Sequence, residues 1–325
     1  MMTRAIVFTA PGQVQVQDLD MPDPGPGEVQ IRTQFSSISS GTEGWALHNR
    51  FTWAPTTYPC VPGYQRVGTV CALGAGVDTL REGDTVMATT GRWQTSPIPF
   101  WGAHAGVSNT VLENVYPITN AVNPLDAAAA VVVQVGYNAA YRPTLVPGDW
   151  VVVYGDGVIG QFGAQAARSR GARTIVVGHR QQRLAAAAAH SADHAVADSP
   201  DTVAQIRGIT GTEHVPVIID TVQQESCQLA YLPLLQQGVG QIVYSGFSPE
   251  EPWASMTALH KLELTTHYIQ GIQRQRMEAT LQLMASGDLA MAPLITHRVP
   301  VEQAPDMYRM IDARSEPFLG IVFEW

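Results

Sequence analysis

The sequence predicts an α/β protein: a doubly wound parallel sheet joined to a smaller, β-rich domain. Three observations predict it. From Asn123 onward, apolar strands at 150–154, 174–177, 217–219 and 241–245 alternate with Ala-rich helical stretches. A glycine-rich turn, Gly155-Asp156-Gly157-Val158-Ile159-Gly160, separates the first of those strands from its helix. Before Asn123 the strands are short and punctuated by Gly and Pro, the texture of a small barrel.

Each element follows in order. Residues 4–8 and 14–17 form a hairpin through Ala10-Pro11-Gly12. The loop Pro22-Asp23-Pro24-Gly25-Pro26-Gly27 leads into a strand at 28–35. Another strand, 65–72, precedes the turn Gly74-Ala75-Gly76, and Gly83-Asp84 introduces a strand at 85–88. After the strand 150–154 a helix at 161–170 stops at Gly171, before the strand 174–177. Residues 262–269 read as a strand near the end of the parallel sheet. A helix over Arg274–Ser286 ends at Gly287, and a strand at 319–323 closes the chain. The expected division is 126–263 for the parallel-sheet domain and 1–125 with 264–325 for the β-rich one.

The glycine-rich turn carries the strongest functional signal. In a strand–turn–helix setting, Gly155 permits the tight turn, Gly157 lets backbone approach a pyrophosphate, and Gly160 lets the helix pack on the strand. The free N–H groups of Val158, Ile159 and Gly160 at the helix start favour phosphate. The end of the next strand bears on which dinucleotide binds. An NAD site usually has an Asp or Glu there for the ribose 2′-OH. Here the run is Val177-Gly178-His179-Arg180, with Arg183 following. A small residue and two arginines suit a 2′-phosphate, so NADP(H) is expected over NAD(H). Asp156, beside the expected pyrophosphate, has no explanation in the sequence.

Composition narrows the class. A chain of 325 residues with net charge −9 and 14% charged residues has no basic stripe, which argues against nucleic acid as a partner. Cys60, Cys71 and Cys227 are scattered and form no CxxC, so no disulfide framework or structural zinc finger is indicated. The N-terminus lacks a signal-peptide profile, and no apolar run approaches membrane-spanning length, so a soluble cytoplasmic protein without membrane contact is expected. Four of the seven tryptophans, Trp45, Trp53, Trp93 and Trp101, precede residue 102, near Phe51, Tyr58, Tyr64 and Phe100. Aromatic loops of this kind suit a flat or apolar substrate, and core packing would use the same residues.

The order of motifs resembles the medium-chain dehydrogenase/reductase superfamily. Glu28-Val29 after Pro-Gly-Pro-Gly, Ser40-Gly41-Thr42-Glu43, Pro62-Gly63-Tyr64, Val67-Gly68-Thr69-Val70, Gly83-Asp84-Thr85-Val86 and Gly155–Gly160 carry the resemblance over nearly the whole chain. It implies a GroES-like catalytic domain made from both chain ends, with a Rossmann domain inserted. The stretches 38–43, 58–64 and 318–325 look most like a zinc-lacking branch, the group of the 3-hydroxyethyl bacteriochlorophyllide dehydrogenase. Zinc members carry Cys, His and Glu where this chain has Ser40, Tyr64 and Gln65; a further Glu of sorbitol-dehydrogenase-like members falls near Val131. Those four residues are unsuited to zinc, and no metal is expected. His190 and His194, spaced i, i+4, flank a turn and do not change that expectation.

Without zinc, another group must meet the charge that develops on the substrate oxygen. Tyr64, at the vacated ligand position, is the first candidate, as hydrogen-bond donor or, with a lowered pKa, as proton donor; the alternative is a ring that packs the cleft. The resemblance places Thr42 at a proton-relaying hydroxyl and Glu43 at a supporting acid, with loop support favoured over a general-base role. His48 is a candidate relay to solvent, and His104, where such enzymes line the cleft, has no better case; a single His is more often a surface or packed residue. The expected activity is zinc-independent hydride transfer between NADP(H) and an alcohol or ketone. Reduction of an activated C=C bond, and a non-catalytic NADP(H)-binding role, are the alternatives. A homodimer or homotetramer is expected through the strand at 262–269.

Overall fold

The computed structural model describes residues 1–246 and 253–325. The chain divides into two compact units: Met1–Val131 with Met284–Ser286 and Ala290–Trp325, and Val132–Leu283 with Gly287–Leu289.

The first unit opens with the antiparallel hairpin β1 (Met2–Ala10) and β2 (Gln13–Asp20), turned at Gly12 with φ +72°. Both faces of β1 are covered. Ala5 and Val7 join one apolar cluster with Leu19, Met21 and Val61, while Ile6 and Phe8 join another with Ile38, Leu47 and Phe323. That split is the two-residue period of a strand. Next come β3 (Glu28–Ser37), α1 (Ser40–Leu47), β4 (Cys60–Val61), β5 (Arg66–Leu73), β6 (Thr85–Ala88), β7 (Ile98–Pro99), β8 (Val107–Val111), β9 (Val115–Pro117) and the single turn α2 (Pro124–Ala127). Asn123 caps α2 by accepting from the Leu125 N–H, and Pro124 starts it with a pre-set φ.

Helix α3 (Ala130–Tyr141) leads to a regular alternation: β10 (Trp150–Tyr154), α4 (Val158–Ser169), β11 (Arg173–Gly178), α5 (Gln181–Ala186), β12 (His194–Ala197), α6 (Thr202–Thr210), β13 (Val217–Asp220), α7 (Glu225–Tyr231), β14 (Gln241–Tyr244), α8 (Met256–Leu262), β15 (Thr265–Tyr268) and α9 (Arg274–Ser286). The six strands form one parallel sheet in the order β12-β11-β10-β13-β14-β15. Strands β10 and β13 are buried at every residue, which is why they read as unbroken apolar runs. Because β10 lies between β11 and β13, connections leave its end toward opposite sides. In such sheets a ligand crevice opens there.

The chain then returns to the first unit with β16 (Ile295–Pro300), α10 (Ala304–Ala313) and β17 (Gly320–Glu324). Strand β17 pairs antiparallel with β3, so the chain's end completes the sheet β16-β17-β3-β5-β6-β9. The boundary expected at residue 264 falls later. Strand β15 pairs in parallel with β14, Gln241 opposite Thr265, which keeps it and most of α9 in the parallel-sheet unit. Among the described residues no helix is long and apolar enough to cross a membrane.

Candidate functional site

The glycine-rich turn leaves the end of β10 as the sequence predicts, and Gly155 and Gly160 each answer a particular constraint. Gly155 adopts φ +117°, and a Cβ there would lie 2.0 Å from Thr221 Oγ1. A Cβ on Gly160 would lie 2.0 Å from the Gly155 carbonyl oxygen, so only glycine lets α4 close onto the turn. Gly157 faces open space: a Cβ there would meet nothing nearer than 3.9 Å. It is also the N-cap of α4 and offers no side-chain cap. The first-turn amides of Val158, Ile159 and Gly160 therefore open a helix whose start suits an anion. These residues fit the pyrophosphate of a dinucleotide.

At the end of β11 the structure explains Asp156. Its Oδ2 accepts hydrogen bonds from the backbone N–H of His179 at 2.9 Å and of Arg180 at 2.8 Å. Its Oδ1 lies 3.5 Å from Arg183 Nη1 and 3.8 Å from Arg180 Nη1. Asp156 is almost fully buried by these contacts. The room that Gly178 was expected to leave for a phosphate is already filled, since a Cβ on Gly178 would sit 2.4 Å from Asp156 Cβ. His179 turns aside to Asp198, 3.4 Å away. Burial lowers the pKa of Arg183, with Arg180's charge adding to the effect and Asp156 opposing it.

The second cluster lies in the first unit, at the start of α1. The Tyr64 hydroxyl engages the side chains of Ser39 and Thr42. Ser39 is the N-cap of α1 and Thr42 stands in its first turn. Burial pushes the phenol up to about 12, the charge of Glu43 adds to this, and the two hydroxyl contacts oppose it. Tyr64 is therefore a neutral hydrogen-bond donor, and the lowered pKa that proton transfer would require is not found. Its ring meets Trp101 edge-on with centroids 5.3 Å apart. Trp101 itself is held at φ +77°, a left-handed conformation that a bulky residue rarely adopts.

Glu43 sits behind Tyr64 and is fully buried. Oε1 accepts from the Ser39 backbone N–H at 2.8 Å, and Oε2 accepts from Tyr308 Oη at 2.5 Å. His104 Nε2 lies 3.0 Å from Oε2, while His104 Nδ1 meets Ser36 Oγ at 2.8 Å. Trp325 Nε1 donates to that same Ser36 oxygen at 2.9 Å. Both carboxylate oxygens are thus committed to structure, as a buried charge requires. Gly63 makes space for the arrangement, because a Cβ there would fall 2.5 Å from the His104 ring. His48 is not brought to the Tyr64 hydroxyl. It ends α1, and its Nε2 pairs with Asp312 Oδ2 on α10 at 2.8 Å. Ser39, Tyr308 and Trp325 were missed in the sequence. Only Ser39 left a signal there, a Ser just before a helix start.

Two family models match the chain. Residues 25–119 match the alcohol dehydrogenase GroES-like domain, and residues 158–286 match the zinc-binding dehydrogenase family. The chain belongs to the medium-chain dehydrogenase/reductase superfamily. Among curated relatives, the sorbitol dehydrogenase of Gallus gallus is 27% identical over 94% of this chain and 92% of its own length. The 2-desacetyl-2-hydroxyethyl bacteriochlorophyllide A dehydrogenase of Cereibacter sphaeroides is 26% identical over 100% of this chain and 99% of its own. In fold, an Escherichia coli oxidoreductase/dehydrogenase of unknown specificity superposes with a TM-score of 0.88 at 19% identity, over 100% of this chain and 99% of that one.

A superfamily member with this second match is expected to hold zinc, and the residues present do not fit it. Ser40 is in the first turn of α1, Gln65 donates its amide to the Ser37 carbonyl at 3.2 Å, and Tyr64 is a neutral phenol. Val131 offers no donor atom. Among the described residues, no group of three or more His, Cys, Asp or Glu side chains is placed to hold a metal ion.

Proposed function

We propose that this medium-chain dehydrogenase/reductase is a zinc-independent, nicotinamide-dependent oxidoreductase that moves a hydride between the cofactor and an alcohol or ketone. The observation that carries the reading is the Tyr64 hydroxyl, kept protonated and engaged by Ser39 and Thr42 at a position where zinc members place a metal-binding histidine. A bound nicotinamide dinucleotide supplies the hydride. The chain's own contribution is to orient and to stabilise. Gly155, Gly157 and Gly160 shape the turn that would hold the pyrophosphate, with the amides at the start of α4. Tyr64 would donate a hydrogen bond to the substrate oxygen as negative charge grows on it. Thr42 and Ser39 hold that phenol in place, and the alkoxide left by hydride transfer takes its proton from water. Glu43, with both oxygens engaged, anchors the start of α1. The part-exposed rings of Trp45, Tyr64, Phe100 and Trp101 support an apolar or aromatic substrate.

Several relatives' names support the reading, the sorbitol and bacteriochlorophyllide dehydrogenases among them. The second of these supports the resemblance to the bacteriochlorophyllide dehydrogenase group. Arg180 and Arg183 support NADP(H), whereas Asp156, lodged among them, supports NAD(H). The edge of β15, unpaired among the described residues and with Tyr268 63% exposed, supports a homodimer. The test is consumption of reduced nicotinamide against a panel of ketones, aldehydes, quinones and enones, with product analysis. Turnover of C=O substrates is expected. Cofactor binding with no turnover across the panel would reject the catalytic reading, and products reduced only at C=C would reject the alcohol/ketone reading.

A further inference from the structure

The end of the second strand of this parallel sheet lacks the acid that would mark an NAD site, yet a carboxylate stands there. It comes from the glycine-rich turn, 22 residues earlier than Gly178 in the chain. We infer that Asp156 is the residue that determines which dinucleotide the site prefers, and that it selects NAD(H) over NADP(H). This rests on the nicotinamide-dependent reading.

Four observations carry it. First, Asp156 occupies the volume beside Gly178: a Cβ on that glycine would lie 2.5 Å from Oδ2. Second, the backbone N–H groups of His179 and Arg180 both donate to Oδ2, at 2.9 and 2.8 Å. These amides, at the start of α5, are among the donors that a 2′-phosphate on this strand end would need, and they are taken by an internal anion. Third, the guanidinium groups of Arg180 and Arg183 stand 3.8 and 3.5 Å from Oδ1, so the charges that suggested phosphate recognition face a fixed negative partner. Fourth, Oδ1 is shared with the Arg183 guanidinium, and a carboxylate oxygen carries a second lone pair with which it can accept again.

The chemistry then discriminates. A ribose 2′-hydroxyl is a donor, and a carboxylate oxygen such as Asp156 Oδ1 can accept from it as well as from a guanidinium. A 2′-phosphate carries nearly two negative charges and only acceptor oxygens. It cannot bond a carboxylate, it would be repelled by one, and the backbone amides it would use are engaged. Arg180 is 48% exposed at its side chain and would still attract a phosphate, but it must do so against Asp156. The acid that an NAD site places at the end of the second strand is thus supplied from the first turn. The sequence around Gly178 could not reveal this, because nothing local to either residue shows that Asp156 and Gly178 meet.

The test is direct titration of the purified protein with NADH and with NADPH, read by nicotinamide fluorescence and by calorimetry, with no turnover required. NADH is expected to bind more tightly than NADPH by about tenfold or more, the scale of one uncompensated charge contact. In Asp156→Asn the amide oxygen can still accept from His179 and Arg180 while the charge is gone. That variant should tighten NADPH by about tenfold and weaken NADH only a few-fold, reversing the order. Thermal unfolding of the variant shows whether the turn survives, and the wild-type ratio decides the matter without it. Tighter NADPH binding by the wild type, or an unchanged NADPH/NADH ratio in folded Asp156→Asn, would overturn the inference while leaving the oxidoreductase reading intact. Binding of neither dinucleotide would overturn both.

Discussion

Tyr308 donates its hydroxyl to Glu43 Oε2 at 2.5 Å, joining α10 to α1 across 265 residues of chain. The bond ties the last helix of the first unit to the carboxylate that braces the start of α1, where Ser39, Thr42 and the Tyr64 hydroxyl meet.

That contact is expected to matter for stability. Tyr308→Phe keeps the ring that packs edge-on against Phe8 and removes one donor from a buried carboxylate. The loss should be about 1–3 kcal/mol, the usual cost of leaving a buried acceptor short of a partner, measured by urea unfolding. The pH dependence has a definite sign. Burial, and then the Glu43 charge, raise the Tyr308 pKa well above its ordinary value, and burial raises Tyr64 as well. The unfolded chain therefore loses these protons first as pH rises. Stability should hold up to the ordinary phenol range and fall above it, more steeply in the wild type than in Tyr308→Phe.

Tyr64→Phe isolates the hydroxyl proposed to meet the substrate oxygen, because Phe retains the edge-on contact with Trp101. Turnover should drop by about 10²–10³, with cofactor affinity unchanged. Since the phenol is pushed up to about 12, its contribution should not titrate anywhere near neutral pH. A loss of only a few-fold would remove Tyr64 from its proposed role. Thr42→Val should then show the larger effect.

Gly63→Ala should be destabilising out of proportion to one methyl group. Gly63 has φ +84°, and the added carbon would fall 2.5 Å from the His104 ring. The left-handed backbone and the overpacking together cost roughly 2–4 kcal/mol. Denaturant midpoints compare the two proteins, and a shift under about half a kcal/mol, the scale of an ordinary surface substitution, would mean that the ring moves aside freely.

Metal analysis checks the zinc-independent proposal. Protein purified without added metal should carry no stoichiometric zinc, and a strong chelator should leave both cofactor binding and turnover unchanged. Stoichiometric zinc whose removal abolishes turnover would refute it.

Light scattering and sedimentation should report a homodimer or a dimer of dimers. Strand β15 ends the parallel sheet with one edge unpaired among the described residues, and exposed edges of this kind recruit a second copy. A charged or pairing-blocking change at Thr266, such as Thr266→Pro, should shift the equilibrium to monomer. A wild-type monomer at every concentration would count against the assembly.

Much of this protein was legible without coordinates, and the reason is locality. The glycine-rich turn declared its geometry because its constraints arise within a few residues: Gly160 must be small for the carbonyl of Gly155, five positions earlier. The parallel strands announced themselves as apolar runs because they are buried on both faces. The β-rich unit showed its hairpin and turns for the same local reasons, and the superfamily followed from motif order. Other features depended on partners that sequence distance conceals. No pattern around Asp156 foretells that it will cap amides 23 and 24 residues later and displace the space left by Gly178. Nothing near Glu43 points to Tyr308, His104 or Trp325, because α10 and β17 reach α1 and β3 only after the intervening unit has been inserted. The sequence by itself determined the elements, the glycine-rich turn and the residue types unsuited to zinc. Tertiary structure alone decided which charges face each other, because a buried carboxylate takes whatever donors folding brings within about 3 Å of it.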